Sequence, residues 1–416
     1  MGRDPEIREA LTRHFAPDPP AILGVAVSGG GDSVGLLHLL QDWRCHGGPD
    51  LRAATVDHGL RPDAADEAAA VARICAGLGI PHDTLDWQGG TGAGNLSDRA
   101  RRARYALLAD WAQARGIKDI AVGHTEDDLA ETFVMRLARG AGVDGLAAMR
   151  PRWRHGPATF HRPLLGVSRA GLRDLLRGRG VDWVEDPTNT DMVYERARVR
   201  DGLAALAAAG LDAPALAQAA RRLAEARGAL DFLAREKARD IMRIAAGDVL
   251  IDRAGLAALP DEVARRILLA ALRWITGAEY PPRGSAMTAF LQAARSGAAM
   301  TLQGCQLHSG ATTARIGREY DAVATLRVPA GAVWDGRWRL DGFAPEGAEI
   351  AALGPEGLRA CPDWRASGLA HASALASPAL WHAGNLLAAP LVGSANGYRL
   401  RLIRDESAVF DASQLH

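Results

Sequence analysis

An apolar stretch that breaks into three glycines and then continues with a helical pattern constrains this chain most strongly. Residues Ile22 to Val27 are apolar and partly β-branched, Gly29 to Gly31 follow them, and four leucines return between Leu36 and Leu40. This succession predicts a buried strand, a tight turn and a helix. Residues without a Cβ let the main chain approach a ligand, and the free N–H groups that open a helix favour an anion. The sequence therefore predicts a phosphate-binding loop between Ser28 and Ser33.

The commoner phosphate-binding motifs do not fit these residues. No lysine follows the glycines as a P-loop would require, and Val34 stands where the last glycine of a dinucleotide-binding turn belongs. What remains is the sequence Ser-Gly-Gly-Gly-Asp-Ser. A glycine turn with a purely structural role is the alternative, but the strand before it, the helix after it and the two flanking serines favour a ligand site.

Composition limits the class of protein. The chain has 416 residues, of which 48% are hydrophobic and 24% charged, so we expect an ordinary globular protein of two or three domains. The first residues are charged with no apolar run behind them, and no stretch approaches the length of a membrane span. We therefore expect a cytoplasmic protein with no membrane contact. A net charge of zero argues against indiscriminate binding of nucleic acid.

The cysteines do not indicate a disulfide framework or a metal centre. They lie far apart and form no C-x-x-C pair. We interpret them as small hydrophobic residues of the core. They are Cys45, Cys75, Cys305 and Cys361.

Strands and helices alternate over the first part of the chain. This alternation predicts an α/β fold with a parallel sheet, in which ligands lie beyond the carboxyl ends of the strands. The expected strands after the first are 51–56, 82–87 and 119–122, and the expected helices are 4–15, 63–78, 97–115 and 126–138.

Polar residues follow three of these strands. His58 and Arg61 come after the second strand, and His124 comes after the fourth. Asp128 and Glu131 then share one face of the next helix, where two carboxylates can bind Mg²⁺ or an ammonium group. Capping of that helix by its own polar residues is the structural alternative. We expect these side chains to meet the glycine loop in one crevice.

Five motifs occur in order between residues 21 and 200: SGGGDS, VDHGLR, GHTEDDLAETFVMRLARGAGVDGLAAM, RPLLG and WVEDPTNTD. In this combination the chain resembles the tRNA(Ile)-lysidine synthetase family, whose members are N-type ATP pyrophosphatases of the PP-loop superfamily. The loop alone is shared with asparagine, GMP and NAD synthetases and with tRNA thiolases. The chain departs from the family's expected R-N-x-[IV]-R signature, because Ala197 stands at the position of the asparagine.

The resemblance implies the ligation of free L-lysine to C2 of the wobble cytidine of tRNA(Ile) with a CAU anticodon. It implies ATP and Mg²⁺ as cofactors, with Asp32 as the metal ligand. It places the nucleotide at Ser28, Gly29, Gly30, Gly31, Asp32, Ser33, Val56 and His58, catalysis at Asp32, Arg61, His124 and Asp128, and substrate binding at Asp127, Asp128, Glu131, Arg196 and Arg200. A homodimer is possible.

Three arginines, at 196, 198 and 200, are expected to open the helix that leaves the catalytic domain. Residues four apart share a helix face, so Arg196 and Arg200 should face the crevice and contact ATP or tRNA phosphate, with Arg198 on the other side. Solvated surface charge is the alternative. Two rival functions remain open at this point: a tRNA thiolase on the same fold, and an RNA-binding homologue without catalytic activity.

Composition changes after the catalytic motifs, where alanine and leucine become frequent. We expect helices at 213–227, 229–245, 261–276 and 284–295, a β-rich piece at 300–316, and short strands with Gly/Pro turns from about 320. The predicted domains are 1–202, a PP-loop catalytic domain; 203–320, a mainly helical α+β domain that binds tRNA or substrate; and 321–416, a small β-rich domain.

Overall fold

The computed structural model describes residues 4–59, 64–87, 89, 96–147, 149–185, 193, 195–278, 280–405 and 407–410. The chain divides into two compact units, Met1–Arg227 and Gly228–His416. The finer division into three domains, with boundaries near 202 and 320, stays a prediction.

The first unit contains a six-stranded sheet with the strand order β3-β2-β1-β4-β6-β5. The four predicted strands, β1 to β4, run parallel, β6 is parallel to β4, and β5 is antiparallel to β6. The hairpin of β5 and β6 was not predicted. The strands are β1 (Ile22–Ala26), β2 (Asp50–Asp57), β3 (His82–Asp86), β4 (Asp119–Val122), β5 (Arg152–His155) and β6 (Ala158–His161).

Helices cover both faces of this sheet. Val25 of β1 packs in one cluster with Leu36 of α2, whereas its neighbour Ala26 packs in another with Leu108 of α4. Because successive residues of a strand point to opposite faces, burial of both faces explains why β1 is apolar throughout. The helices are α1 (Asp4–Phe15), α2 (Gly31–Cys45), α3 (Ala64–Gly77), α4 (Leu96–Ala114), α5 (Glu126–Ala138), α6 (Val143–Leu146), α7 (Arg169–Gly178) and α8 (Glu195–Ala208).

One prediction for the helices that follow is wrong. Instead of two helices at 213–227 and 229–245, a single helix, α9, runs over Ala213–Ile241. A glycine inside a helix costs only about 1 kcal/mol, so Gly228 does not break it. The helix ends where Met242 pairs with Ile251 in an antiparallel ladder, which draws 242–245 into a strand.

The second unit combines helices with antiparallel sheets, so the predicted fold class is confirmed. A five-stranded sheet has the order β7-β8-β11-β10-β9, a second has the order β12-β14-β15-β16, and β13 pairs with β17. Trp274 and Phe290 are fully buried in one core, and Trp334 in another. The strands are β7 (Met242–Ala245), β8 (Asp248–Asp252), β9 (Met300–Leu302), β10 (Cys305–Ser309), β11 (Thr313–Arg318), β12 (Arg327–Pro329), β13 (Trp338–Asp341), β14 (Glu349–Ala352), β15 (Pro378–His382), β16 (Asn385–Ala388) and β17 (Arg399–Leu402), and the helices are α10 (Arg253–Ala257), α11 (Asp261–Thr276), α12 (Gly284–Ser296), α13 (Gly354–Arg359) and α14 (His371–Leu375).

Among the described helices, none by itself is both long and apolar enough to cross a membrane. By length and composition alone, α8 and α9 pass that test as a pair, with a bend of 101° between them.

Candidate active site

The glycine loop joins β1 to α2 and leaves the start of the helix open. Gly29 has φ +87°, a value that side-chain-bearing residues rarely adopt. Gly30 occupies the N-cap position and provides no side-chain cap. The first turn of α2 therefore keeps donors for an anion at the carboxyl end of β1.

Two serines hold the loop in shape. The Ser33 hydroxyl donates to the Gly30 carbonyl at 2.9 Å and accepts from the Ser28 backbone N–H at 3.1 Å. The two hydroxyl oxygens lie 3.2 Å apart. Ser33 is buried, whereas Ser28 is exposed and accessible to a ligand. These hydrogen bonds fix the positions of the first and last residues of the loop relative to each other.

The loop also depends on close backbone contacts with two neighbouring segments. A Cβ on Gly123, which follows β4, would lie 2.9 Å from both the Asp32 carbonyl oxygen and Ser33 Cα. Only glycine allows the end of β4 to come this close. On the other side, the Val184 N–H donates to the Gly29 carbonyl at 3.0 Å.

Helix α5 begins beside the loop with a capping box. The backbone N–H and the hydroxyl of Thr125 both donate to Asp128 Oδ2 at 2.9 Å, and the Asp128 N–H donates to Thr125 Oγ1 at 3.4 Å. Helix capping, the structural alternative for these acids, therefore occupies one oxygen of Asp128. The other oxygen, Oδ1, lies 3.3 Å from Nη2 of Arg169.

Arg169, the first residue of α7, links the acids of the crevice. Its Nε lies 3.1 Å from Asp32 Oδ2 and its Nη1 lies 3.0 Å from Glu131 Oε1. Its backbone N–H donates to Asp127 at 2.7 Å. One guanidinium thus connects the phosphate loop to α5. Arg169 was not among the predicted site residues. It follows the RPLLG segment and comes directly after Ser168, the N-cap of α7, and this position at a helix start could have indicated it.

Arg196 and Arg200 of α8 contact the acids of α5, as the helical phase predicts, whereas Arg198 contacts a backbone carbonyl. Arg200 Nε donates to Glu131 Oε1 at 2.6 Å, and Arg196 Nη1 lies 3.9 Å from Asp128 Oδ1. Arg198 instead donates to the Val193 carbonyl at 2.8 Å. In the structure Arg196 and Arg200 contact carboxylates, so phosphate binding by either of them stays a prediction.

Burial and neighbouring charges shift the pKa values of Asp32 and Asp128 in opposite directions. Burial raises the pKa of Asp32, helped by Asp128 and Asp127 and partly offset by Arg169. Burial would also raise the pKa of Asp128, but the charge of Arg169 and the hydrogen bond from the Thr125 N–H act against it, and that pKa is lowered. Asp128 is thus the more readily ionised of the two.

The remaining predicted site residues lie around the same strand ends. His124 is half-buried after β4, and burial, followed by the charge of Arg162, lowers its pKa well below the ordinary value. Val56 packs within β2, and the His58 ring stands edge-on to Trp87 with centroids 5.9 Å apart. Since β2, β1 and β4 are parallel neighbours, their carboxyl ends lie side by side. Arg61 and residues 186–191 of the WVEDPTNTD motif lie outside the described residues.

Comparison with known proteins identifies the family. The family model described as the PP-loop domain matches residues 4–206. A tRNA(Ile)-lysidine synthase of Ruegeria pomeroyi is 50% identical over 98% of this chain and 97% of its own length. The chain belongs to the tRNA(Ile)-lysidine synthase family.

Other relatives extend this family assignment. A tRNA(Ile)-lysidine synthase of Brucella anthropi is 36% identical over 93% of this chain and 89% of its own length. Among solved structures, the U34-tRNA thiolase NcsA of Methanococcus maripaludis, with its [4Fe-4S] cluster, is 18% identical and covers 53% of this chain and 78% of its own, with a TM-score of 0.47.

The family model and the full-length relative of Ruegeria pomeroyi show that this member of the tRNA(Ile)-lysidine synthase family is a PP-loop enzyme that binds ATP.

Mg²⁺ is compatible with Asp32 only in a limited role. Among the residues that the structure describes, no group of three or more His, Cys, Asp or Glu side chains could hold a metal ion. Mg²⁺ at nucleotide sites is commonly bound by one or two carboxylates together with substrate phosphates. Asp32, in the first turn of α2, fits that pattern, with the phosphates supplying the other ligands.

Replacing Arg169 with alanine should destabilise the first unit by about 3 kcal/mol at neutral pH, because it removes a cation that pairs with buried carboxylates. The lowered pKa of Asp128 contributes stability above its ordinary value of 3.8, which is lost as the pH falls through the folded-state pKa. Arg169 is one cause of that lowering, so the difference from wild type should persist at about pH 4 and shrink as the pH falls below it. Urea unfolding at about pH 7, about pH 4 and about pH 3 measures it.

The matched control for this prediction is Arg177→Ala on the same helix. Arg177 forms an ion pair with Asp174 that is largely exposed, so the change should stay within about 0.5 kcal/mol. Equal costs for Arg169→Ala and Arg177→Ala would contradict a central role for Arg169.

Proposed function

We propose that this protein is a carbon–nitrogen ligase that joins free L-lysine to C2 of the wobble cytidine of tRNA(Ile) with a CAU anticodon, using ATP. The observation that carries the proposal is the full-length similarity to a tRNA(Ile)-lysidine synthase, in a chain whose phosphate loop and acids meet at one guanidinium. Incorporation of labelled lysine that depends on both tRNA and ATP tests it.

The C2 oxygen of a cytosine is a poor leaving group, so it must be activated first. The oxygen attacks the α-phosphate of ATP, pyrophosphate leaves, and the lysine ε-amine then displaces AMP at C2. The loop from Ser28 to Ser33 stabilises the phosphates through the open helix start. Asp32 would hold Mg²⁺ together with the phosphates, and the ion would supply positive charge against the leaving pyrophosphate.

The acids of α5 suit the amine substrate. Asp127, Asp128 and Glu131, together with Asp32, present four carboxylates around Arg169, Arg196 and Arg200. Asp128 and Glu131 share one face of α5, where two carboxylates can pair with one ammonium group. We assign lysine binding to Asp128 and Glu131. A tRNA anticodon loop offers unstacked bases, which the reaction at C2 requires.

The environment of the cysteines favours the ligase over the thiolase. Burial raises the pKa of Cys75 to about 11 and that of Cys305 to about 12, which disfavours the nucleophilic thiolate. Cys361 is also buried. Cys45 is exposed but lies at the far end of α2, about 20 Å along the helix from the loop. The cytoplasmic location, a possible homodimer, and tRNA or substrate binding by residues 203–320 are parts of the proposal that rest on the sequence alone.

The first test removes the proposed metal ligand. Asp32→Ala should lower tRNA-dependent AMP formation at least about 100-fold while tRNA affinity stays nearly unchanged, because no phosphate-backbone contact is lost. The control Asp42→Ala removes an acid from the other end of α2, where Asp42 pairs with Arg179 at 2.7 Å. Circular dichroism verifies folding. Wild-type AMP formation by a folded Asp32→Ala protein would overturn the metal assignment.

A second test separates the arginines of α8. Arg200→Ala should slow lysine incorporation, weaken tRNA binding and reduce its salt dependence by about one unit of slope, as expected for one lost phosphate contact. Arg198→Ala is the matched control on the opposite side of the helix. A damaging Arg198→Ala beside a silent Arg200→Ala would contradict the assignment.

The third test addresses the thiolase alternative. Simultaneous replacement of the four cysteines by serine or alanine should leave lysine incorporation per folded molecule within about twofold, although burial of three of them predicts some loss of stability. Activity is measured against the folded fraction. A single cysteine whose loss abolishes turnover would instead support the tRNA thiolase alternative.

A further inference from the structure

One side of the His124 ring is held by a group that can only donate. Arg162 Nε donates its hydrogen to His124 Nδ1 at 3.3 Å. A guanidinium has five N–H donors and no acceptor, so the lone pair in this contact belongs to Nδ1. A neutral imidazole with its lone pair on Nδ1 carries its hydrogen on Nε2.

Arg162 cannot readily turn away from this contact. Its Nη1 donates to the Arg150 carbonyl at 2.6 Å, and its guanidinium carbon lies 3.7 Å from the centroid of the Trp153 ring. Its backbone N–H donates to the Pro151 carbonyl at 2.8 Å, and the residue is only 7% exposed. The hairpin of β5 and β6 thus holds the donor against His124.

The charges around His124 oppose its protonation. Arg162 faces it from the end of β6, and Arg104 and Arg101 face it from α4, while Asp128 on α5 is the one anion among these groups. Burial acts in the same direction as the arginines and lowers the pKa of His124. A positive charge on the imidazole would lie near three guanidiniums.

We propose that Arg162 is a positioning residue that holds His124 as a neutral imidazole with its hydrogen on Nε2, so that His124 serves the reaction as a hydrogen-bond donor and transfers no proton. The catalytic part of this inference rests on the proposed function, whereas the state of the ring does not. A fixed neutral donor stabilises oxygen atoms on which negative charge grows. The ammonium group first gives one proton to water, which frees the lone pair that attacks C2, and the proton that the amine then loses goes to the departing AMP phosphate or to water.

The ring state is measured directly in the wild-type protein. Nitrogen-15 NMR distinguishes the two neutral tautomers and the imidazolium, and the His124 signals are those missing from His124→Gln. We expect an unprotonated Nδ1 and a protonated Nε2 with no titration between about pH 5 and 8. A hydrogen on Nδ1, or titration near the ordinary pKa of about 6.5, would overturn the inference.

Two substitutions of His124 separate a donor from an acid–base group. His124→Gln keeps a neutral N–H near the position of Nε2 but cannot shuttle a proton, whereas His124→Ala keeps neither. Lysine incorporation by the glutamine variant should exceed that of the alanine variant at least about 10-fold. Equal activity of the two variants would show that proton transfer, or some other property of the ring, matters instead.

Removing the charge of Arg162 should allow the His124 ring to be protonated more readily. In Arg162→Gln, the pKa of His124 should rise toward about 6.5 and the rate of lysine incorporation should acquire a dependence on pH there. Arg162→Lys, which keeps a cation, should keep that pKa low. Arg154→Gln removes an exposed arginine from β5 and is the matched control. An unchanged His124 signal in folded Arg162→Gln would contradict the proposal.

These outcomes can be told apart from failure of the proposed function. Absence of lysine incorporation in the wild-type protein would overturn the ligase, while the NMR spectra would still report the tautomer. Lysidine formation by a protein whose His124 carries its hydrogen on Nδ1 would leave the ligase intact and overturn only the inference about Arg162.

Discussion

The crevice of the first unit depends on one guanidinium placed among carboxylates. If Arg169 were absent, the carboxylates of Asp32, Asp128 and Glu131 would bring several negative charges together in a partly buried space. Like charges at this range raise one another's pKa, and some of the carboxyls would then be neutral at pH 7. Arg169 allows the acids to lie together, and its three nitrogens join the phosphate loop to α5.

Close backbone packing places this cluster beside the loop. Gly123 lets the end of β4 lie against the start of α2, so that the residues after β4 reach the phosphate loop. The capping box of Thr125 and Asp128 then aims one carboxylate oxygen at the backbone and leaves the other for Arg169. Helix capping and site formation are therefore performed by the same residue, and capping does not exclude a functional role.

Two arginines from one segment of chain have opposite effects on the groups they touch. Arg169 stabilises anions, and it helps keep Asp128 ionised. Arg162, seven residues earlier, lies against an imidazole and disfavours its charged form. The same guanidinium charge thus keeps one partner ionised and the other neutral, because a carboxyl becomes negative when it ionises whereas an imidazole becomes positive.

The sequence by itself predicted the order of strands and helices as far as α5, the glycine loop and the helical phase of Arg196 and Arg200, because these follow from local periodicity and from residues without a Cβ. The sequence also pointed to Asp128 and Glu131 through their spacing on one helix face. The tertiary structure alone decided their partners: Arg162 and Arg169 come from beyond the hairpin of β5 and β6, and no local pattern places a distant guanidinium against a given acid or ring. The same limit explains α9, where the pairing of Met242 with Ile251, and not the glycine at 228, determines where the helix ends. Periodicity is a property of neighbouring residues, whereas charge pairing and strand pairing depend on which distant segments the fold brings together.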